Sequence, residues 1–127
     1  MAAKNRVLFV DDSAEIRQAM SGVIRGRGFE LEICTDGAEA TELVLRKHQN
    51  GEAFDLIITD FQMPKMDGCE FVSAIQKKGV STPVLMMTGA PEQAADKHRA
   101  LELRNCSIIV KYNFDSLDHV LSQVLKE

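Results

Sequence analysis

The sequence predicts an α/β domain built on a parallel sheet, and three observations predict it. Short apolar runs alternate with helix-period segments along the whole 127-residue chain. The first run, Val7-Leu8-Phe9-Val10, is apolar throughout, as in a strand buried on both faces. Polar groups stand where several of these runs end: Asp11-Asp12, Asp60, Thr88 and Lys111.

The first strand is expected at about Arg6 to Val10. Asp12 or Ser13 is placed to cap the helix that follows, whose apolar face is Ile16, Met20, Val23 and Ile24 and which Gly26 and Gly28 end. The second strand, about Phe29 to Cys34, alternates Phe29, Leu31 and Ile33 with Glu30 and Glu32. One of its faces is therefore wet, which places it at a sheet edge. Asp36 with Glu39 reads as a capping box for a helix to about Gln49, closed by Asn50-Gly51.

The third strand, about Asp55 to Thr59, carries Asp60 at its end, and Met63-Pro64 forces a loop. Asp67 with Glu70 is a second capping-box pattern, opening a helix to about Lys78 that Gly79 stops. The fourth strand runs from about Pro83 to Met87 and leads into Thr88-Gly89. Pro91 suits the first position of a helix to about Leu103. The fifth strand, about Ser107 to Val110, leads into Lys111. Asn113 is placed to cap a last helix with Leu117, Val120, Leu121, Val124 and Leu125 on its apolar face.

In a parallel sheet all carboxyl ends share one edge, where open α/β sheets hold their ligand crevice. Asp11, Asp12, Asp60, Thr88 and Lys111 should then converge. Taken singly, each is a turn residue, a helix cap or a solvated lysine; the combination after four strands is far more specific. Close carboxylates repel and call for a cation. Oxygen ligands on a rigid frame suit Mg²⁺, which often shares its shell with a phosphate. An aspartate can accept a phosphoryl group, and that transfer needs alignment and charge neutralisation more than covalent help.

With these residues in place, the chain resembles, from end to end, the receiver domain of two-component response regulators. The matching residues are Asp11-Asp12, Asp60 with Met63-Pro64 and Met66-Asp67-Gly68, Thr88 and Lys111. The resemblance implies a flavodoxin-like doubly wound (βα)5 fold with a five-stranded parallel sheet in the order 2-1-3-4-5. It implies that Asp60 accepts phosphate from a sensor histidine kinase or a histidine phosphotransfer protein. It implies that Asp11, Asp12, Asp60 and the backbone carbonyl of Gln62 hold Mg²⁺, with Mn²⁺ able to substitute, and that Thr88 and Lys111 sense the phosphoryl group. The output would be a change of shape read by a downstream protein, with the fourth helix, fifth strand and fifth helix as the family's usual partner surface.

The sequence departs from the family pattern in two places. Tyr112 follows Lys111 where the family usually has proline, often with a cis bond; a non-proline cis bond costs about 2.5–4 kcal/mol, so a trans bond and an altered loop are expected. Ile108 stands where the family tends to place an aromatic residue, so a switch built on an aromatic swing is not expected. Ile108 reads as an edge-strand residue covered by helices, and Tyr112, the only tyrosine, is a candidate for part of the aromatic role. Gln62 and Ala90 occupy the positions that tune water's access to the phosphoryl group in this family.

Composition narrows the alternatives. The net charge is −4 with Lys and Arg scattered, so direct nucleic-acid binding is not expected. No apolar run approaches the roughly 20 residues of a membrane span, and no signal peptide is evident; the reading is a cytoplasmic protein. Cys34, Cys69 and Cys106 are too few and too widely spaced for a disulfide framework or a zinc site and read as free thiols. His48, His98 and His119 read as helix-surface residues without a role, and Met86 and Met87 as core filling. Residues 1–127 read as one receiver domain, monomeric or weakly dimeric, with the native-looking start at Met1 slightly favouring a stand-alone regulator.

Three other readings compete. A haloacid-dehalogenase-type phosphohydrolase would also use Asp, Thr and Lys with Mg²⁺, but wants a second aspartate where Gln62 stands. A flavin or nucleotide carrier would need a Gly/Ser/Thr-rich loop where Asp11-Asp12 stands. A degenerate receiver would signal without phosphate.

Overall fold

The structure is a computed structural model and describes residues 5–111, 119, 121 and 122. Strands and helices alternate: β1 (Arg6–Val10), α1 (Ala14–Gly26), β2 (Glu30–Cys34), α2 (Gly37–Gln49), β3 (Leu56–Asp60), α3 (Gly68–Gln76), β4 (Val84–Thr88), α4 (Pro91–Ala100) and β5 (Cys106–Val110). The sheet is parallel, in the order β2-β1-β3-β4-β5. The alternating β2 thus lies at an edge, and β1 and β4, apolar except for Arg6 and Thr88, lie inside with β3 at the centre.

Period-two alternation in the strands sorts the core into two layers. Leu8, Val10, Ile57, Val84 and Met86 face α2, α3 and α4, meeting Val44, Phe71, Ile75 and Ala94. Val7, Phe9, Leu56, Ile58, Leu85 and Met87 face the other way, onto Met20 and Ile24 of α1 and onto Leu121. Both methionines are thus core filling, as expected. Ile108 is partly buried against the first layer, which fits its reading as a covered edge-strand residue.

Cap chemistry sets most helix starts. Ser13, rather than Asp12, caps α1, its hydroxyl accepting from the Ile16 N–H. Asp67 and Glu70 form a complete capping box on α3, each side chain accepting from the other's backbone N–H. The expected box on α2 is only half made. Asp36 accepts from the Glu39 N–H, but the Glu39 carboxylate takes the N–H of Thr35 rather than that of Asp36. Helix ends fall earlier than the pattern suggests. α3 tightens through Lys78 and Gly79 N–H bonds to the Ile75 and Gln76 carbonyls, with Gly79 at φ +91°. α4 ends at Ala100 because Glu102 adopts φ +53°, which turns the chain.

Tyr112, the bond and loop after Lys111, the Asn113 cap and most of the last helix lie outside the described residues. Within that segment, Leu121 is buried, and the Arg27 guanidinium donates to the Ser122 hydroxyl at 3.1 Å.

Gly68 is the tightest backbone contact behind the sheet edge. A Cβ there would lie 2.4 Å from the Asp60 carbonyl oxygen and 3.1 Å from the Phe61 Cα. Neither is the free end of a side chain, so the β3–α3 turn or the strand end would have to move. Gly22, inside α1, has no atom within 4 Å of its would-be Cβ. In urea unfolding, Gly68→Ala is expected to lose about 1–3 kcal/mol, whereas Gly22→Ala should gain about 0.5–1 kcal/mol from helix propensity. Equal effects at the two positions would contradict the contact.

Candidate functional site

The strand register brings the polar ends to one level. Val10 aligns with Thr59, Asp60 with Met87, and Thr88 with Val110. The ladder continues one residue further: the Asp11, Phe61 and Lys111 N–H groups donate to the Cys34, Met87 and Thr88 carbonyls. Asp11 and Lys111 are thus held by backbone as well as side-chain bonds, and Asp60 is fixed through its neighbour Phe61.

Asp11, Asp12 and Asp60 each offer a carboxylate oxygen, and these oxygens lie within 4.8 Å of one another. Asp11 and Asp60 are buried, and Asp12 is exposed. Asp60 uses both oxygens: Oδ2 accepts from Lys111 Nζ at 2.9 Å, and Oδ1 accepts from the Gln62 N–H at 3.3 Å. Asp11 Oδ1 accepts from the Ser13 N–H at 2.8 Å, and the Asp11 carbonyl accepts from the Arg17 guanidinium at 2.9 Å. Thr88 is fully buried, and its Oγ1 accepts from the Ala90 N–H at 2.8 Å.

Burial pushes the Asp60 carboxyl above the ordinary value of 3.8; Lys111 and the Gln62 N–H pull it down, and Asp12 adds a further rise. Asp11 is raised chiefly by burial too, with the Ser13 N–H and Lys111 opposing and Asp60 and Asp12 adding to the rise. A single lysine does not offset this concentration of negative charge. All the donors are carboxylate oxygens on a rigid sheet edge, the set that a hard divalent cation prefers. The cluster therefore fits such an ion on its own chemistry.

The turn between β3 and α3 supports Asp60 from behind. Gly68 donates its N–H to the Phe61 carbonyl at 2.7 Å. Met66 packs on α2, lying about where a Cβ on Gly37 would come within 3.1 Å of it. At the tip, the Met66 N–H reaches the Pro64 carbonyl at 2.7 Å across Lys65, which has φ +69°. A lysine in that region is strained. Nothing in the sequence marks Lys65 for it.

Sequence reasoning singled out Asp11, Asp12, Asp60 and Lys111, and the structure brings them together. Thr88 lies on the neighbouring strand, linked to Lys111 through its backbone carbonyl. Arg17 was missed: it is one of several polar residues on α1, and no spacing rule points to its bond with the Asp11 carbonyl. His98 was also missed as a structural contact; its Nε2 lies 3.0 Å from the Cys106 carbonyl. The cysteines are free, with burial pushing the Cys34 and Cys106 thiols up to about 12 and Cys69 to about 11. Such thiols are inert near neutral pH.

A doubly wound α/β fold with an acidic cluster at the carboxyl edge defines a narrow class. The profile of the response regulator receiver domain matches residues 7–122. The chain belongs to that family. It is 28% identical over 130 residues to the regulatory protein AtoC of Escherichia coli, covering 99% of this chain and 26% of that protein. It is 40% identical over 101 residues to the response regulator protein FleR of Pseudomonas aeruginosa, covering 78% of this chain and 20% of that protein. The chain thus spans only about a quarter or less of the length of these two relatives.

Among solved structures it is similar to the chemotaxis protein CheY4 of Vibrio cholerae, with TM-score 0.78 and 36% identity over 96% of this chain and 99% of that one. It is also similar to the receiver domain of the histidine kinase CKI1 from Arabidopsis thaliana complexed with Mg²⁺ and BeF₃⁻. There the TM-score is 0.77 and the identity 28%, over 97% of this chain and 91% of that one. Family membership marks a phosphorylation-controlled signalling domain, not a turnover enzyme. It sets aside the phosphohydrolase and carrier readings.

A carboxyl whose folded pKa lies above its unfolded value contributes stability below the unfolded value and loses it as pH rises through the folded one. For Asp11 and Asp60, both raised, the ionised cluster therefore weakens the metal-free fold at neutral pH. Asp11→Asn keeps an oxygen for the Ser13 N–H and removes one charge. In EDTA at pH 7 it is expected to stabilise the chain by about 1 kcal/mol, the usual scale of a relieved site. Thermal melts should show that gain shrinking as pH falls from neutral through the raised Asp11 value towards the ordinary 3.8, below which Asp11 is protonated in both states; an unchanged or lower midpoint at pH 7 would contradict it.

Proposed function

We propose that Asp60 is the phosphoacceptor of a two-component or phosphorelay system, receiving its phosphoryl group from a sensor histidine kinase or a histidine phosphotransfer protein. The observation that carries this reading is the Asp60 carboxylate, buried at the strand end, 2.9 Å from Lys111 Nζ and within reach of the Asp11 and Asp12 oxygens. An Asp60 oxygen attacks the phosphorus of a donor phosphohistidine that is protonated on its other ring nitrogen, the P–N bond breaks with its electron pair going to nitrogen, and the imidazole leaves neutral, keeping that N–H. Lys111 would move from the carboxylate to a phosphoryl oxygen, and the Thr88 hydroxyl would meet another.

Asp11, Asp12 and Asp60, with the Gln62 carbonyl, are the residues that would hold Mg²⁺ or Mn²⁺. A cation there supplies neutralisation of the carboxylates and of the phosphoryl oxygens. In this reading the CKI1 complex with Mg²⁺ and BeF₃⁻ is a parallel for the loaded site.

The output is a binding event rather than turnover. A dianion at Asp60 shifts the chain between states only through contacts that differ between them. Thr88 and the turn that follows it, which engages α4 through Ala90, supply such contacts. The downstream partner is read as a protein docking on α4, β5 and the segment after it. No described helix is long and apolar enough to cross a membrane. A cytoplasmic, monomeric or weakly dimeric chain that does not bind nucleic acid directly completes the reading.

Intact-mass spectrometry after incubation with a small acyl phosphate and Mg²⁺ tests the assignment. One added phosphoryl group is expected on the wild type, and none on Asp60→Asn or in EDTA. An adduct that survives Asp60→Asn would contradict the role of Asp60. No adduct together with no released phosphate would favour signalling without phosphorylation.

A further inference from the structure

Of the described helices, α4 is the most weakly anchored. Its N-cap, Ala90, makes no side-chain cap bond, and Ala94 is its one buried residue. Apart from Pro91, Ala95 and Ala100, the rest of it is polar: Glu92, Gln93, Asp96, Lys97, His98 and Arg99. Burial therefore holds α4 with little area, and specific polar contacts matter more. At its start, the Ala90 N–H meets the Thr88 hydroxyl. Near its end, Lys97 Nζ lies 2.5 Å from Asp67 Oδ2 and 3.7 Å from Glu70 Oε2.

Those two oxygens are not free surface groups. Asp67 Oδ1 and Glu70 Oε1 are already committed to the capping box of α3, which fixes the orientation of both carboxylates. Lys97 therefore lands on the two remaining oxygens of a preorganised pair. Such a network loses less side-chain entropy than an isolated surface ion pair. Hydrogen bonding to Asp67 holds the Lys97 ammonium above its usual range. Behind Asp67 stands Gly68, whose Cα leaves no room for a Cβ against the Asp60 carbonyl. Cys69, next along, places its Sγ 3.7 Å from the Ala94 carbonyl.

We propose that Lys97 is a positioning residue that ties α4 to the turn behind Asp60 and so sets the resting position of the helix that begins at the Thr88 contact. A shift of α4 then has to break or re-form the bond from Lys97 to the α3 capping box. The consequence for signalling rests on the Asp60 reading; the restraint itself does not.

Hydrogen exchange by mass spectrometry on wild type, Lys97→Gln and Lys97→Arg, without added metal, tests the restraint. Lys97→Gln should speed exchange over residues 91–100 by about fivefold, the upper end of what one partly exposed ion pair supplies, and leave α1 and α2 unchanged. Lys97→Arg should restore slow exchange. Exchange in Lys97→Gln within about twofold of wild type, or equal acceleration in every helix, would overturn the proposal. With Mg²⁺ and BeF₃⁻, the change in α4 exchange should be smaller in Lys97→Gln than in wild type, because one restraint on the helix is already gone while the His98 contact to the Cys106 carbonyl remains; equal changes would overturn the coupling. A wild-type chain that does not respond to Mg²⁺ and BeF₃⁻ counts against the Asp60 reading, while the metal-free comparison decides Lys97 by itself.

Discussion

The mutual repulsion of Asp11, Asp12 and Asp60 is the constraint on which the rest of the site depends. Their oxygens lie within 4.8 Å of one another, two of the three residues are buried, and one lysine sits among them. Left to itself such a cluster would spread. The parallel ladder prevents that, because backbone bonds continue past the strand ends at Asp11, Phe61 and Lys111. The sheet thus holds a charge arrangement that is costly in the absence of a cation. That stored cost makes the site responsive, since whatever neutralises it gains binding energy from the relief.

The turn after Asp60 carries the same constraint outward. Met63-Pro64 leads into a strained Lys65, Met66 seats on α2, Asp67 caps α3, and Gly68 lets that cap lie against the Asp60 backbone. Four short-range requirements thus meet in six residues, each with its own physical cause. The Asp67 cap also receives Lys97 from α4, so the described helix with the fewest buried residues is tied to the turn that Gly68 packs against the Asp60 backbone. The turn behind Asp60 and the helix that begins after Thr88 are therefore joined by named atoms.

Much of this was legible in the sequence because its causes are local. Four apolar residues in Val7 to Val10 mark an interior strand, alternation marks β2 as an edge, and Asp67 with Glu70 marks a cap; all three hold in the structure. The meeting of Asp11, Asp12, Asp60 and Lys111 followed from one rule about parallel sheets. What was not legible depends on tertiary partners. Glu39 prefers the Thr35 N–H to the closing bond of a capping box, a choice set by the turn's path. Arg17 and Lys97 look like ordinary helix-surface cations until the groups they reach are known. His98 is similar, since its carbonyl partner belongs to β5. The consequences of Tyr112 fall outside the described residues.

The central claim is that an anion on Asp60, with a divalent cation beside it, is read across the sheet edge by Thr88 and Lys111. Backbone NMR of the chain titrated with BeF₃⁻ in the presence of Mg²⁺ tests it most directly. The account predicts large shifts at Gly89, Ala90 and Lys111, one and two strands away from Asp60, and none of them with Mg²⁺ omitted. Shifts confined to Asp11, Asp12 and the Asp60 turn would contradict it, because the charge would then be bound without being read.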